Sequence, residues 1–494
     1  MTEGPSVTAT PGDGLGASAA RGAVVTLAGQ IAQVVLQTGS VVILARILTP
    51  RDYGLYAIVL VIVGVGEIFR DFGLSSAAIQ AAVLTRFQRD NLFWINAALG
   101  LLLALLTFLI APGVAAVFHE PVLTPITRVL SLTFVINGLA TQFRAGLNRD
   151  LKFGRLAFCD LAGQGVGLTT ALVSAAAGAR YWALVAAQLA QVATVLAILA
   201  IFARWVPRRP RRGTDLVPML RYGISFVGAQ IVGYAGNNLD STVIGLRLGP
   251  RQLGLYNRAF QLVMTPLGQF RSPATTVALP VLSRLQADVA RANDYLRRGQ
   301  LAMGYTIVAA LAIAAGASDR VVDLVMGPQW QAVPPVFALL AIAGSLQMLS
   351  FVGYWAYLSR GLTADLFRYT LVDFALRGVC IAVGSTWGIV GVAAGYAIAH
   401  AAEWPLSLWW LGKRTVIPAR ELYCGAFRII ATGTLAGGLS FLACRVLTGW
   451  ADFPVLCVAA LAGIGAYAGT AALCGPIRRD LYEVRVLAER FLHR

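Results

Sequence analysis

Apolar residues run in long unbroken stretches separated by short polar ones, and this alternation continues along nearly the whole chain. A helix needs about 20 predominantly apolar residues to cross the hydrocarbon core of a bilayer. Fourteen stretches approach or exceed that length. In the first half they lie near 22–45, 53–75, 92–117, 122–143, 156–178 and 181–203. The second half adds 216–245, 253–282, 299–316, 332–357, 366–385, 388–411, 425–446 and 454–474. A membrane β-barrel would instead show segments of about ten residues with alternating polarity. The pattern therefore predicts an all-α polytopic membrane protein with about fourteen spans.

Within this pattern a phrase occurs twice. Pro50-Arg51-x-x-Gly54-Leu55-Tyr56 returns as Pro250-Arg251-x-x-Gly254-Leu255-Tyr256. In the same register Gln30 falls over Gln230, Gln37 over Asn237, Leu44 over Ile244 and Leu48 over Leu248, and Phe69-Arg70 answers Phe270-Arg271 after one inserted residue. Agreement over that length indicates duplication. Six spans separate the copies, so both have the same orientation, and two parallel six-helix repeats are expected. The expected organisation is an N-terminal lobe over 22–204, a basic linker over 205–214, a second lobe over 215–411 and two appended spans within 412–474. A disordered segment, 1–21, precedes these, and no cleavable signal is visible in it, so the first span is expected to direct insertion. At the other end, Leu481, Val484, Leu487 and Phe491 recur at helical spacing among arginines, which predicts an amphipathic tail helix over 475–494 on the inner membrane face. Within the repeated phrase, Pro and Gly read as a tight turn ahead of a helix that begins with an interfacial tyrosine.

Composition agrees with the pattern: 57% of residues are hydrophobic and 13% charged, too little polar surface to coat a water-soluble globule. The net charge of +17 would suggest nucleic acid in a soluble protein. Here the basic residues sit in short loops, where they set topology, and no nucleic-acid partner is needed to explain them. Of 40 lysines and arginines, 26 lie in or beside the N-terminus, the loops after even-numbered spans and the tail, against six in the odd-numbered loops. Both termini are thus expected in the cytoplasm. The six cysteines show no metal-ligand spacing and read as small core residues, and no cofactor is implied.

An ionised side chain near the bilayer centre costs about 2.5–3.5 kcal/mol even on insertion scales, so intramembrane charges mark candidate sites. Arg70 and Arg271 occupy matching places in the two repeats and form a candidate anion clamp, because a guanidinium stays charged and donates a planar fork to phosphate. Arg128, Arg258 and Arg377 are further candidates; Arg377 also lies one turn from Asp373, where an internal ion pair is the simpler explanation. Arg221, Arg428 and Arg445 lie near helix ends and can reach the headgroups. Gln30, Gln33 and Gln37 form a polar stripe answered by Gln230, Asn237, Asn238 and Asp240, suited either to interhelical hydrogen bonds or to a wet cavity for hydroxyl-rich cargo. Glu67, Asp240 and Glu403 are candidate ion-coupling carboxylates.

The stretches LARILTPRDYGLYAIV at 44–59, FRDFGLSSAAIQ at 69–80 and GLRLGPRQLGLYNRAFQLVMTPLGQF at 245–270 resemble those of the polysaccharide transporters, or Wzx-like oligosaccharide flippases, of the multidrug/oligosaccharidyl-lipid/polysaccharide exporter superfamily. The resemblance implies two six-helix bundles with two appended helices and alternating access around a central cavity. It implies undecaprenyl-diphosphate-linked oligosaccharide as cargo, moved from the inner to the outer leaflet of the bacterial inner membrane for exopolysaccharide, capsule or O-antigen assembly. The glycan assembly and polymerisation machinery would be its partners. Asp52, Tyr53, Gly54, Asp71, Phe72 and Gly73 match the first-lobe pattern and read as fold residues. A multidrug or metabolite antiporter of the same superfamily is the alternative. A membrane glycosyltransferase or polymerase fits less well, since the longest outer loop spans only about 317–331, and no GxxxxGK[ST] phosphate loop is present.

The charge count makes a direct prediction. In a cysteine-free background, a cysteine replacing Arg208 should resist an impermeant maleimide in intact spheroplasts and react after permeabilisation, while one replacing Arg180 should react in both. The reverse pattern would overturn the orientation.

Overall fold

A computed structural model describes residues 32–33, 36–37, 39–71, 85–210, 230–231 and 233–492. Gln30, Phe72, Gly73 and Arg221 lie outside the described residues, as do the side chains of Arg70 and Asp71. All regular structure among the described residues is helical. Among the described residues ten stretches are long and apolar enough to cross a membrane, one of them, Thr363–Arg414, being two helices joined by a short turn. The protein is a multi-pass membrane protein.

The helices are α1 (Pro50–Asp71), α2 (Arg86–Val117), α3 (Leu123–Leu130), α4 (Leu132–Arg149), α5 (Phe153–Ala176) and α6 (Tyr181–Ala203). Next come α7 (Leu239–Arg284), α8 (Val289–Met303) running through a π turn into α9 (Ala309–Gly316), and α10 (Ser318–Met326). The chain ends with α11 (Pro334–Ser359), α12 (Thr363–Gly384), α13 (Gly388–Arg414), α14 (Ala419–Val446), α15 (Asp452–Leu473) and α16 (Gly475–Leu492). Most fall within a few residues of the expected spans, although α8 begins ten residues before the expected ninth; the expected first and seventh spans, 22–45 and 216–245, lie largely outside the described residues. The stretch expected as the eighth span is helical but belongs to α7, whose four prolines and several arginines keep it out of the apolar ten.

Contacts divide the chain into two compact units, one of residues 1–48 and 58–237, the other of 49–57 and 238–494. In the first, α4 packs against α2, and Phe93, Phe143 and Trp205 meet edge to face over a core that includes Leu147, Cys159 and Leu199. Arg89 lies over Trp205 at 4.1 Å, and Trp94 Nε1 donates to the carbonyl of Arg208 at 2.8 Å. The start of the basic linker is thereby fastened to this unit.

In the second unit α11 is the most enclosed helix, packed by α7, α8, α9 and α13. The repeated phrase corrects the expectation of a turn. Pro50 is the first residue of α1, with Gly54 one turn inside it. The site suits proline, whose missing N–H is an orphan at a helix start in any case. Thr49 caps this end: its Oγ1 donates to Asp52 Oδ2 at 2.7 Å, and Asp52 accepts the Thr49 N–H at 3.0 Å. In the second copy the turn falls one residue earlier, at Gly249, whose φ of 81° favours glycine. Gly54 and Gly254 serve packing instead. A side chain at Gly54 would run into the Pro250 carbonyl, and one at Gly254 into that of Pro50. Segment 49–57 therefore crosses the second copy backbone to backbone.

Tyr256 is likewise not interfacial. It is fully buried, and its hydroxyl donates to Asp240 at 2.8 Å. Tyr53, also buried, meets Trp330 at a centroid distance of 5.8 Å. The cysteines divide: Cys159 and Cys444 are buried, Cys380 is half-buried, and Cys424, Cys457 and Cys474 are exposed, contrary to a uniform core role. The tail does form a helix, but charge as well as amphipathicity holds it. Asp480, 4% exposed, accepts from Arg428 at 2.7 and 3.0 Å and from Tyr305 at 3.2 Å, while Glu483 accepts from Arg297 at 2.7 Å.

Gly54→Val should destabilise the purified protein by about 3 kcal/mol, the scale of forced overpacking. Gly438→Ala, in open space, should leave thermal unfolding unchanged. Equal melting of the two variants would contradict the backbone crossing.

Candidate functional site

A cavity of about 310 Å³ lies within the second unit, between α7, α11, α12 and α13. Helix α7 supplies Arg271, and α12 supplies Tyr369, Thr370, Asp373 and Arg377. Helix α11 supplies Gln347, Ser350, Phe351, Tyr354 and Tyr357, which recur at helical spacing and so face one side. Glu403 and Ser407 come from α13. Trp355 Nε1 donates to Thr275 Oγ1 at 3.1 Å, tying α11 to α7 one turn past Arg271.

Two arginines line the cavity in different states. Arg377 is bonded to Asp373 one turn away, the internal pair that the spacing predicted. Arg271 has no carboxylate within ion-pair distance among the described residues, and its buried Nε has no hydrogen-bond partner. Its guanidinium lies over the Phe351 ring at 5.1 Å. Stacking on an aromatic face offsets part of the cost of burying a cation without satisfying its donors. Those donors remain available to an anion.

Glu403 lines the same cavity from α13. Tyr369 donates to its backbone carbonyl at 3.3 Å, and His400 Nε2 lies 3.7 Å from its carboxylate. His400 is fully buried, with Nδ1 3.1 Å from the Tyr396 carbonyl. A carbonyl only accepts, so Nδ1 carries a proton, and in the neutral ring Nε2 is left as an acceptor facing Glu403. Aromatic faces complete the wall: Phe351 stacks with Tyr354, and Tyr357 with Tyr369, each at 5.7 Å. A second cavity, of about 610 Å³, shares Arg271, Phe351 and Tyr354 and continues past Thr275 to Pro280.

Of the sequence-derived candidates, Arg271, Arg377 and Glu403 are brought together here. The other candidates among the described residues are placed elsewhere. Arg258 lies 3.6 Å over the Tyr53 ring. Arg128 is exposed, over Phe108 in the first unit, where Glu67 also lies and accepts from Asn137 at 2.8 Å. Asp240 is sealed by Tyr256 and by the Ser241 N–H at 2.7 Å. Gln230 and Asn237 are exposed, Gln37 and Asn238 half-buried, and none is among the cavity's lining residues. Sequence reasoning missed the aromatic wall and His400. The signal for the wall was present in Gln347, Phe351, Tyr354 and Tyr357, polar or aromatic positions at helical intervals in an otherwise apolar span.

Comparison with known proteins adds a family and a fold. A family profile described as "polysaccharide biosynthesis protein" matches residues 43–335. The chain is 25% identical over 363 residues to the lipopolysaccharide biosynthesis protein WzxC of Escherichia coli (strain K12), covering 72% of this chain and 73% of that one. It is 24% identical over 368 residues to the teichuronic acid biosynthesis protein TuaB of Bacillus subtilis (strain 168), covering 70% and 72%. The succinoglycan biosynthesis transport protein ExoT of Rhizobium meliloti (strain 1021) is 25% identical over 357 residues, covering 71% of each. Among solved structures, the lipid II flippase MurJ in an inward closed conformation superposes with a TM-score of 0.72 at 13% identity, over 92% of this chain and 100% of that one. At that identity the likeness speaks to the fold.

Proposed function

The chain belongs to the polysaccharide biosynthesis protein family, and on that footing we propose that it is a flippase for lipid-linked oligosaccharide. The cargo is a glycan on undecaprenyl diphosphate, carried from the inner to the outer leaflet of the bacterial inner membrane by alternating access. It serves the assembly of exopolysaccharide, capsule or O-antigen. No covalent step is involved, so the protein is a transporter rather than an enzyme. Both termini face the cytoplasm, and the polymerisation machinery receives the product. The names of the relatives support this reading, one of them being a transport protein of succinoglycan biosynthesis.

The observation that carries it is Arg271, a half-buried arginine whose enclosed Nε has no hydrogen-bond partner, on the wall of an aromatic cavity. Arg271 grips the diphosphate. A planar fork that stays charged suits a phosphate better than an ammonium does. Phe351, Tyr354 and Tyr369 offer flat faces to the sugar rings, the two tyrosines adding polar tips, while Gln347, Ser350 and Ser407 hydrogen-bond hydroxyls. The second cavity gives the cargo room beyond Arg271. Arg70 is proposed as a further phosphate contact on sequence grounds alone.

Glu403 is proposed as the coupling acid. The Arg377–Asp373 pair cancels itself, which leaves Arg271 facing Glu403. Protonating Glu403 removes the negative charge, makes the cavity net positive and favours an anion, and by linkage a bound anion favours the proton.

Binding tests both roles. A short-chain prenyl diphosphate glycan should bind Arg271→Ala at least about tenfold more weakly than the intact protein, the scale of a lost charged hydrogen bond. Arg128→Ala should bind it unchanged, and equal affinity of all three would remove Arg271 from the site. Affinity of the intact protein should fall as pH rises through the titration of Glu403. In Glu403→Gln it should stay high and flat, and a retained pH slope would exclude Glu403 as the responsible group.

A further inference from the structure

At one end of the second unit three connections converge: those between α7 and α8, α11 and α12, and α13 and α14. The loop-charge count expects all three on the same membrane face. A cavity of about 450 Å³ lies among them, apart from the cargo cavity and sharing none of its lining residues. Its floor is apolar, with buried Leu282, Ala292 and Leu296, while its more exposed rim carries Gln286, Val289, Arg360 and Thr415.

Arg360 differs from its neighbours. Arg291 pairs with Asp288 at 3.3 Å, Arg297 with Glu483 at 2.7 Å and Arg414 with Asp365 at 3.1 Å. Arg360 has no carboxylate within ion-pair distance among the described residues. Its guanidinium donates only to neutral acceptors: the Val416 carbonyl at 2.5 Å, Thr415 Oγ1, and Asn293 Oδ1 at 2.7 Å. These three bonds draw on five N–H groups and hold the plane of the fork, leaving donors for another acceptor. Burial lowers the Arg360 pKa from the ordinary arginine value, and no neighbouring charge acts against that shift. A partly desolvated cation, held rigid and unneutralised above an apolar floor, is half of an amphiphilic site.

We propose that this cavity binds the phosphate of an anionic phospholipid, with Arg360 as the phosphate ligand and the apolar floor against the glycerol and first acyl carbons. Basic pockets between helices at a membrane face suit such headgroups. The apolar floor selects a lipid over a free anion, which would gain nothing from it. Occupied, the site bridges the ends of α7, α11 and α13, three of the four helices that enclose the cargo cavity, so a lipid there braces that cavity without touching the cargo.

The test uses the purified full-length protein with short-chain phosphatidylglycerol, phosphatidylcholine or inorganic phosphate, read by native mass spectrometry and thermal shift. Phosphatidylglycerol should be retained and should raise the melting temperature, while the other two leave it unchanged. Arg360→Gln should weaken phosphatidylglycerol about tenfold. Ala292→Phe, which fills the cavity and leaves Arg360 in place, should abolish its retention and decides the matter if the arginine variant does not fold. Unaltered phosphatidylglycerol binding in both variants would overturn the site. Inorganic phosphate matching its effect would overturn the lipid assignment.

Discussion

A charge carried into hydrocarbon has to be answered by another group, because water is not there to solvate it. The arginines of this chain show how that constraint sorts structure from function. Arg144 is answered by Asp160, Arg377 by Asp373 and Arg428 by Asp480. Among the described residues Arg258 and Arg271 form no ion pair and lie over aromatic rings, and each keeps a buried Nε without a hydrogen-bond partner. Arg258 is covered by Tyr53, whereas Arg271 opens onto a cavity of about 310 Å³. Arg271 is proposed as a cargo contact because the cavity beside it has room for a group that would offset the cost of its partial burial.

The rest of the second unit holds Arg271 in place. Lipid tails are as apolar as leucine, so helices in a bilayer associate through close packing and internal hydrogen bonds rather than through the hydrophobic effect. Gly54 and Gly254 supply the close packing, letting segment 49–57 and the second copy approach to backbone contact. Asp240 and Tyr256 supply a buried hydrogen bond across the bend at Gly249, and Trp355 with Thr275 locks α7 to α11 beyond Arg271. The repeated phrase thus carries no chemistry of its own. It fixes the helix that carries Arg271.

Much of the fold was legible in the sequence, because a span is a length of apolar residues and nothing else needs to be known. Roles within spans were harder to read. The glycines of the repeated phrase read as turn residues because glycine serves turns and close approaches alike, and only the position of the Pro250 carbonyl tells them apart. Arg428 read as a headgroup anchor because its partner, Asp480, lies 52 residues away on the tail helix. Arg258, Arg271 and Arg377 looked alike as intramembrane cations. Their partners come from different helices, Tyr53 for one and Phe351 for another, and spacing reveals only the pair within one helix, Arg377 with Asp373. His400 drew no notice because a single histidine in an apolar run is usually a packed core residue, and its position beside Glu403 acquires meaning only next to Arg271.

The most direct measurement is leaflet transfer of a fluorescent undecaprenyl-diphosphate-linked oligosaccharide in proteoliposomes, scored by the fraction of label protected from an impermeant quencher. The predicted result is that the intact protein equilibrates the label between leaflets, and that Arg271→Ala, at equal abundance, falls to the rate of protein-free vesicles. Transfer at the full rate by Arg271→Ala, or none by the intact protein across several glycans and imposed ion gradients, would contradict it.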